Sequence, residues 1–392
     1  MTLPDPAARA EIVVDLGAIR RNVRRLRELV SDGPGPGPAL MIVVKADAYG
    51  HGMVEVARAA RQAGAEWLGV ATADEALALR EAGDTGRILC WLAAPGEDHR
   101  ATVAADVDTT AYSVTQLDEI LEAARTLGRA ARVQLKVDTG LSRGGAPRDQ
   151  WVALFEAARK AEVAGDATVT GVWSHFACSD EPDHPANDAQ ETAFREALVL
   201  AADAGLDPEV RHLSNSAGAL LRPSARFDLV RFGLAAYGLS PAPEVVTSEQ
   251  LGLEPAMTVR ARTVMVKDLA PGAGVSYGHT FVADRPMHVA LVPMGYGDGI
   301  PLHASSRAEV QIGEQRCPVL GRICMDQFVV DAPGSRAGDD VVVFGPGRDG
   351  EPTAQDWAEW CGTISYEIVT RIGGRQRRVW VDSDGPTGEA GA

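Results

Sequence analysis

The chain is poor in cysteine, in long apolar runs and in positive charge, and each shortage excludes something. Five cysteines, Cys90, Cys178, Cys317, Cys324 and Cys361, occur in 392 residues, an odd number with no CxxC pair. Neither a disulfide framework nor a structural zinc is indicated, and no metal is expected. Apolar runs such as 39–44 fall far below the roughly 18 residues of a membrane span, so no membrane partner is expected. The opening stretch MTLPDPAARAE lacks the apolar h-region of a signal peptide, which points to a cytoplasmic address. Lys plus Arg number 38 against 54 Asp plus Glu, for a formal net charge of −16. Apart from 20–27 no stretch is dense in cations, which argues against nucleic acid as the main partner. What the chain does have is a hydrophobic share of 45%, enough for one large core and a second.

Along the first two thirds, short apolar runs alternate with segments whose apolar residues recur at helical spacing, the pattern of parallel βα units. Strands are expected at 40–44, 67–71, 87–91, 107–110, 132–137, 169–174, 210–213 and 228–231. Helices are expected at 54–63, 74–82, 115–127, 149–163, 189–204 and, shorter, 216–221. Eight strands over this length predict a (β/α)8, TIM-like barrel. It is preceded by a strand at 9–14 and a helix at 16–30, N-capped by Asp15, with Ile19, Val23, Leu26 and Val30 on one face. The stretch SDGPGPGP at 31–38 is a loop, and the end of the chain, SDGPTGEAGA at 383–392, is expected to be disordered. After about residue 255 apolar runs alternate between Gly/Pro turns without helices, predicting a mostly β C-terminal domain. The boundaries are set at 15–255 for the barrel and 256–382 for the β domain, which strand 9–14 joins.

Residues just past the strand C-termini line one mouth of such a barrel, where barrel enzymes place their active sites. They are Lys45 in KADAYGHG, Lys136 and Arg143 in KVDTGLSRGG, His175 in WSHFA, His212, Asn215 and Ser216 in HLSNSAG, and Arg231 in VRFG. Each alone has a plain structural reading: a solvated loop lysine, a turn at 49–52, a hydrogen-bonded histidine, a helix cap. Their convergence is the signal. Ser216 and Gly233 follow the seventh and eighth strands, where barrels frequently bind phosphate, so a phosphorylated ligand is expected. Lys136 alternates with Gln134 and Asp138 against Val133, Leu135 and Val137. If its face points inward, its ammonium must be paired, deprotonated or covalently altered. A surface pair with Asp138 is the alternative.

These motifs resemble the alanine racemase family over nearly the whole chain. VVKADAYGHG is similar to the family's cofactor-lysine motif, which implies pyridoxal 5'-phosphate bonded to Lys45, with Tyr49 on its phosphate. LKVDTGLSRGG is similar to the segment whose lysine is carbamylated in many members. Lys136 would then become an anion that orients Arg143 toward the cofactor's phenolic oxygen and the substrate carboxylate. The resemblance further implies Asn215, Ser216, Gly233, Leu234 and Tyr366 as cofactor ligands, Arg231 on the pyridine nitrogen, and His212 beside Arg231. In GVSYGHT, Tyr277 matches the second base. In GRICMDQF, Met325 matches a substrate contact, with Asp326 supporting it. Both are lent to a partner's barrel, which implies a head-to-tail homodimer. Tyr296, Asp180, Arg322, Ile364 and Tyr366 resemble the access corridor. Gly297 and Leu302 depart from the family, which usually has alanine and commonly arginine there.

The implied reaction interconverts L-alanine and D-alanine, supplying D-alanine for peptidoglycan precursors. Two bases on opposite faces move a proton without either swinging round the substrate. Lys45 would act on the D-alanine proton and Tyr277 on that of L-alanine. A tyrosine with a pKa of about 10 is only about 0.1% ionised at pH 7, so neighbouring donors, His175 first, must assist it. Among enzymes of the same architecture an amino-acid decarboxylase fits less well, since NSAG replaces a glycine-triplet phosphate loop and Tyr277 stands where a catalytic cysteine belongs; a broad-specificity racemase stays open. A non-catalytic cofactor carrier would lack the β domain.

Overall fold

The computed structural model describes residues 8–31 and 37–384. The loop expected at 31–38 and the tail expected at 383–392 lie mostly outside the described residues, as does most of the stretch 1–11. Strand β1, Ala10–Asp15, runs into the helix Leu16–Val30. Asp15 caps that helix, accepting the Gly17 N–H at 2.8 Å, and Ile19, Val23, Leu26 and Val30 are buried on one face, as the helical spacing requires.

Eight parallel strands follow: β2 Ala39–Val43, β3 Trp67–Val70, β4 Arg87–Cys90, β5 Asp108–Ala111, β6 Ala131–Lys136, β7 Ala167–Trp173, β8 Val210–His212 and β9 Leu229–Phe232. They pair in the order β8-β7-β6-β5-β4-β3-β2-β9. The gap between β8 and β9 is spanned by Asp228 N–H to Arg211 O and Arg231 N–H to Ser214 O, each 3.1 Å. This is a nearly closed (β/α)8 barrel, as the alternation of strand and helix signals predicts. The helices Met53–Gln62, Ala73–Glu81, Val114–Leu127, Trp151–Ala164, Pro185–Asp203 and Ser216–Leu221 match the expected positions within a few residues. Two short helices were not expected: Arg100–Ala104 and Ser248–Leu251 are each little more than one turn, too short to display a 3.6-residue period.

The lower end of the barrel is closed by charge. Asp108, fully buried, accepts from Arg87 (3.1 and 2.9 Å), from Arg132 (3.2 Å) and from the Thr170 hydroxyl. Arg87 also lies over the Trp67 ring at 3.9 Å. Leaving that carboxylate without its guanidinium partners would cost about 3–5 kcal/mol.

The C-terminal region adds β10 Met257–Arg262, β11 Met265–Leu269, a small hairpin of β12 Gly274–Val275 and β13 Phe281–Val282, then β14 Met287–Val292, β15 Glu309–Ile312, β16 Gln315–Leu320, β17 Phe328–Asp331, β18 Asp340–Phe344 and β19 Arg377–Val381. Nine strands join as β11-β14-β17-β16-β15-β18-β10-β1-β19. The N-terminal β1 pairs antiparallel with β10 and parallel with β19. The expectation of a region without helices is corrected: Ala354–Cys361 and Ser365–Arg371 are helical. The first is set by a capping box in which Thr353 and Asp356 bond each other's backbone N–H, a local signal that outweighs the surrounding β pattern. One apolar core runs from barrel residues such as Leu40, Val56 and Tyr237 into Ile12, Val259, Trp357 and Ile368 of the β domain. Among the described residues no helix is long and apolar enough to cross a membrane.

Candidate active site

The turn after β2 carries Lys45 and Tyr49, and its backbone is unusual. Ala46, Asp47, Ala48 and Tyr49 all adopt φ between 51° and 53°, a left-handed turn made of residues with side chains. Each such residue costs about 1–2 kcal/mol against the right-handed form, so surrounding bonds must impose it. Glu75 accepts the Ala46 N–H at 2.6 Å, Asp47 accepts the Met53 N–H at 2.8 Å, and Trp380 of β19 donates its indole N–H to His51 O at 2.9 Å. Arg378 pairs with Asp47 at 2.7 Å. The β domain therefore clamps the turn that positions Lys45.

Lys45 is half-buried with its ammonium 5.6 Å from the Trp91 ring. Burial, and then the Arg143 charge, hold its pKa below that of an ordinary lysine. On β6, Lys136 is buried with its ammonium 4.4 Å from the Trp173 ring, and its pKa falls to about 8 through burial and the Arg231 and Arg143 charges. The surface pair with Asp138 does not form; Asp138 instead accepts the Gly140 and Ser142 N–H groups at 2.9 and 3.1 Å. The chain has four lysines, Lys45, Lys136, Lys160 and Lys267, so two of the four meet at this mouth. Arg143 is exposed beside them.

Arg231 lies 4% exposed behind this pair. Its Nη1 donates to His212 Nδ1 at 2.8 Å, and its Nη2 to Ser174 O (2.9 Å), Leu213 O (2.8 Å) and His175 Nδ1 (3.1 Å). None of these partners carries negative charge. Burial lowers its pKa to about 9, so it stays charged at neutral pH. Burial, with the Arg231 charge, keeps His212 and His175 well below the usual imidazole value, and both are neutral there.

A polar cradle closes the mouth between β8 and β9. Asn215 caps the following helix, accepting the Gly218 N–H at 3.0 Å, and Ser179 donates to the same oxygen at 2.8 Å. Gly233 N–H donates to Ser216 Oγ at 3.0 Å. A Cβ on Gly233 would lie 2.5 Å from the Tyr49 hydroxyl, so only glycine lets the phenol reach this backbone. Leu234 is buried beside it. Tyr366, from the β-domain helix Ser365–Arg371, brings its ring to 6.1 Å from Tyr49, and burial pushes its pKa up to about 12.

Lys45, Tyr49, Lys136, Arg143, His175, His212, Asn215, Ser216, Arg231, Gly233, Leu234 and Tyr366 thus share one mouth. Several of the other expected residues are exposed, while Asp180 lies close enough to Tyr366 for its charge to raise that phenol's pKa. Tyr277 is 72% exposed and Met325 54%, and Tyr296, Leu302 and Ile364 are exposed as well. The backbone under them is fixed: Ser276 Oγ donates to Arg322 O at 2.5 Å, Tyr296 N–H to Cys324 O at 3.0 Å, and Gly297 N–H to Met325 O at 2.8 Å. Arg375 bridges Asp326 and Asp298. Sequence reasoning missed Glu75, although Thr72-x-x-Glu75 is a capping-box signature. It also gave no part to Trp91 and Trp173, which carry the ammonium groups of both lysines. Among the described residues no three His, Cys, Asp or Glu side chains gather as a metal site.

A neutral-leaning amine, a buried guanidinium and a polar cradle gathered at the strand C-termini are the arrangement of a barrel enzyme's active site. The comparisons specify which. Residues 14–241 match the alanine racemase N-terminal domain and residues 256–380 the alanine racemase C-terminal domain. The chain is 54% identical over 366 residues to the alanine racemase of Salinispora tropica, covering 93% of this chain and 96% of that one. It is 53% identical over 385 residues to the alanine racemase of Streptomyces coelicolor, covering 96% and 97%. The crystal structure of alanine racemase from D-cycloserine-producing Streptomyces lavendulae superposes with a TM-score of 0.93 at 52% identity, covering 96% and 98%. The chain belongs to the alanine racemase family, an enzyme family of isomerases.

Proposed function

We propose that the chain interconverts L-alanine and D-alanine with pyridoxal 5'-phosphate at the barrel mouth, working as a head-to-tail homodimer. The observation that carries this is the meeting of Lys45, Arg231 and the Tyr49–Ser216–Gly233 cradle at one end of the barrel. The residues fit the cofactor. Tyr49, Asn215, Ser216, Gly233, Leu234 and Tyr366 would hold its phosphate, Arg231 would face the pyridine nitrogen, His175 its ring, and Lys45 would take the covalent bond. Among the described residues no anion pairs with Arg231, and this is the matching deficit, since a buried guanidinium without a counter-charge is costly.

When bound, pyridoxal phosphate withdraws electrons from the substrate and acidifies its Cα–H. Everything else is done by side chains. Lys45, held below the ordinary lysine pKa, has a larger fraction of free amine at neutral pH, which suits Nζ to take or return a proton on one face. The partner subunit's Tyr277 would serve the other face, and its Met325 would border the substrate. Arg231 only donates hydrogen bonds, so it would leave the ring nitrogen unprotonated and keep the electron withdrawal modest. The barrel unit 15–255 would thus hold the cofactor, and the unit 256–382 with strand 9–14 would lend the second base, in a cytoplasmic enzyme.

Lys136 would be carbamylated. Its unpaired amine, with a pKa of about 8, adds to the carbon of CO2 and releases one proton, replacing a buried cation with a carboxylate that pairs with Arg143. Purified protein should be yellow, lose that colour on borohydride treatment with the label on Lys45, and convert L-alanine to D-alanine. A colourless protein that leaves both enantiomers unchanged after cofactor addition would overturn the reading.

A further inference from the structure

The network behind Arg231 can be solved for its hydrogens, and the solution singles out a residue with no role so far. Arg231 carries donors only, so His212 Nδ1, 2.8 Å away, must accept. His212 is then the neutral tautomer with its hydrogen on Nε2. Nε2 lies 2.7 Å from Gln134 Oε1, so Gln134 must present its carbonyl, and its Nε2 is turned away, buried and without a partner. Gln134 is itself 0% exposed. Leaving a buried amide N–H without an acceptor is costly, which a residue with no task would not retain.

The backbone is shaped to hold that amide. The β6–β7 register shifts between Val133 and Gln134, and such irregularities re-aim a side chain. Gln134 then pairs with Gly171, where a Cβ would lie 2.7 Å from Gln134 Cδ and 2.8 Å from Oε1. A side chain there would push the amide aside. His212 is held on its flat side as well, stacked on Trp173 at 5.4 Å and 7°.

We propose that Gln134 is a positioning residue for the racemisation, fixing the tautomer and ring orientation of His212 so that Arg231 keeps one set direction, with Gly171 reserving the space for its amide. The role in turnover rests on the function proposed above; the tautomer does not. An oxygen acceptor at Nε2 makes Nδ1 a better acceptor for Arg231 and stops the ring from turning over. In Gln134→Glu a carboxylate would draw a second proton onto His212, and an imidazolium has no lone pair for Arg231.

The test is nitrogen NMR of histidine-labelled holoenzyme, with the His212 signals assigned by their loss in His212→Asn. Wild type should show a protonated Nε2 and an unprotonated Nδ1 across neutral pH. Gln134→Glu should show both nitrogens protonated, and Gln134→Met should broaden or split the signals as the ring loses its fixed orientation. Both should lower kcat roughly tenfold with a smaller change in KM and shift the absorbance of the bound cofactor. Gly171→Ala, which displaces the amide without touching its chemistry, should reproduce the Gln134→Met signature. An Nδ1-protonated wild type, or variants with wild-type His212 signals and kcat, would overturn the proposal. A wild type that never takes up the cofactor yet shows the Nε2–H tautomer would instead defeat the functional reading and leave the network standing.

Discussion

The barrel mouth and the outer rim of the β domain are built on opposite terms. At the mouth, Arg231, His212, Gln134 and Ser174 are buried and their donors and acceptors interlock within a single chain. At the rim, the loops under Tyr277 and Met325 are equally well bonded, yet the side chains themselves project into solvent. Loops anchored this firmly are not loose ends, and large apolar side chains presented together on a rigid base mark a contact surface. Under the proposed function, one half of the catalytic equipment would be complete in each chain, and the other half would be made for a neighbour.

The comparison can be broken first at Lys45. We predict that Lys45→Ala lowers racemisation by about 10³-fold or more and removes the yellow colour, while circular dichroism is unchanged. Retained colour would move the tether to another lysine, and only three others exist. A milder cut is Gly233→Ala. The added methyl must displace the Tyr49 hydroxyl, at a cost of about 1–3 kcal/mol. Cofactor titration should show a weaker Kd, with kcat at saturation less affected. Unchanged affinity would detach the cradle from phosphate binding.

The two regions also differ in their response to acid. His51 at the mouth is fully buried and stacks on Tyr237 at 4.5 Å, and burial lowers its pKa from 6.5 to about 4. His175 and His212 are lowered in the same way. Between pH 6.5 and 4 the unfolded chain binds protons at His51 that the folded chain refuses, so stability falls as pH drops through that window. Each such group removes about 1.4 kcal/mol per pH unit. On the β domain, His288 bonds Asp268 at 2.7 Å and its pKa is raised. Its contribution is present below pH 6.5 and lost as pH rises through the folded value, and at an exposed site it is small. Denaturant unfolding against pH should show the first effect strongly and the second, in His288→Asn, barely. A flat profile from pH 7 to 4 would contradict the neutral, buried histidines.

Much of the mouth was legible because barrels place function at strand ends and because period-two alternation correctly turns Gln134 and Lys136 inward, where both are buried. The left-handed turn was not. Ala46 and Ala48 have no local preference for positive φ, and the conformation exists through Glu75 and β19, distant in sequence. The task of Gln134 was hidden for a similar reason, since its meaning depends on Gly171 one strand away. The helix Ala354–Cys361 was legible in its Thr353–Asp356 capping box, whereas Ser365–Arg371 begins at Ile364, which makes no side-chain cap bond and gives no such signal.

The most direct test of a shared site mixes two disabled chains. Lys45→Ala and Tyr277→Phe should each be nearly inactive alone, the second while still binding cofactor. When the two are unfolded together and refolded as equal partners, half the dimers are mixed, and each mixed dimer contains one site with both native residues. The account predicts recovery of about one quarter of wild-type activity, as random pairing of a two-fold dimer requires. If Tyr277 instead served its own barrel, every site would lack one base, and a mixture no more active than its parts would contradict the account.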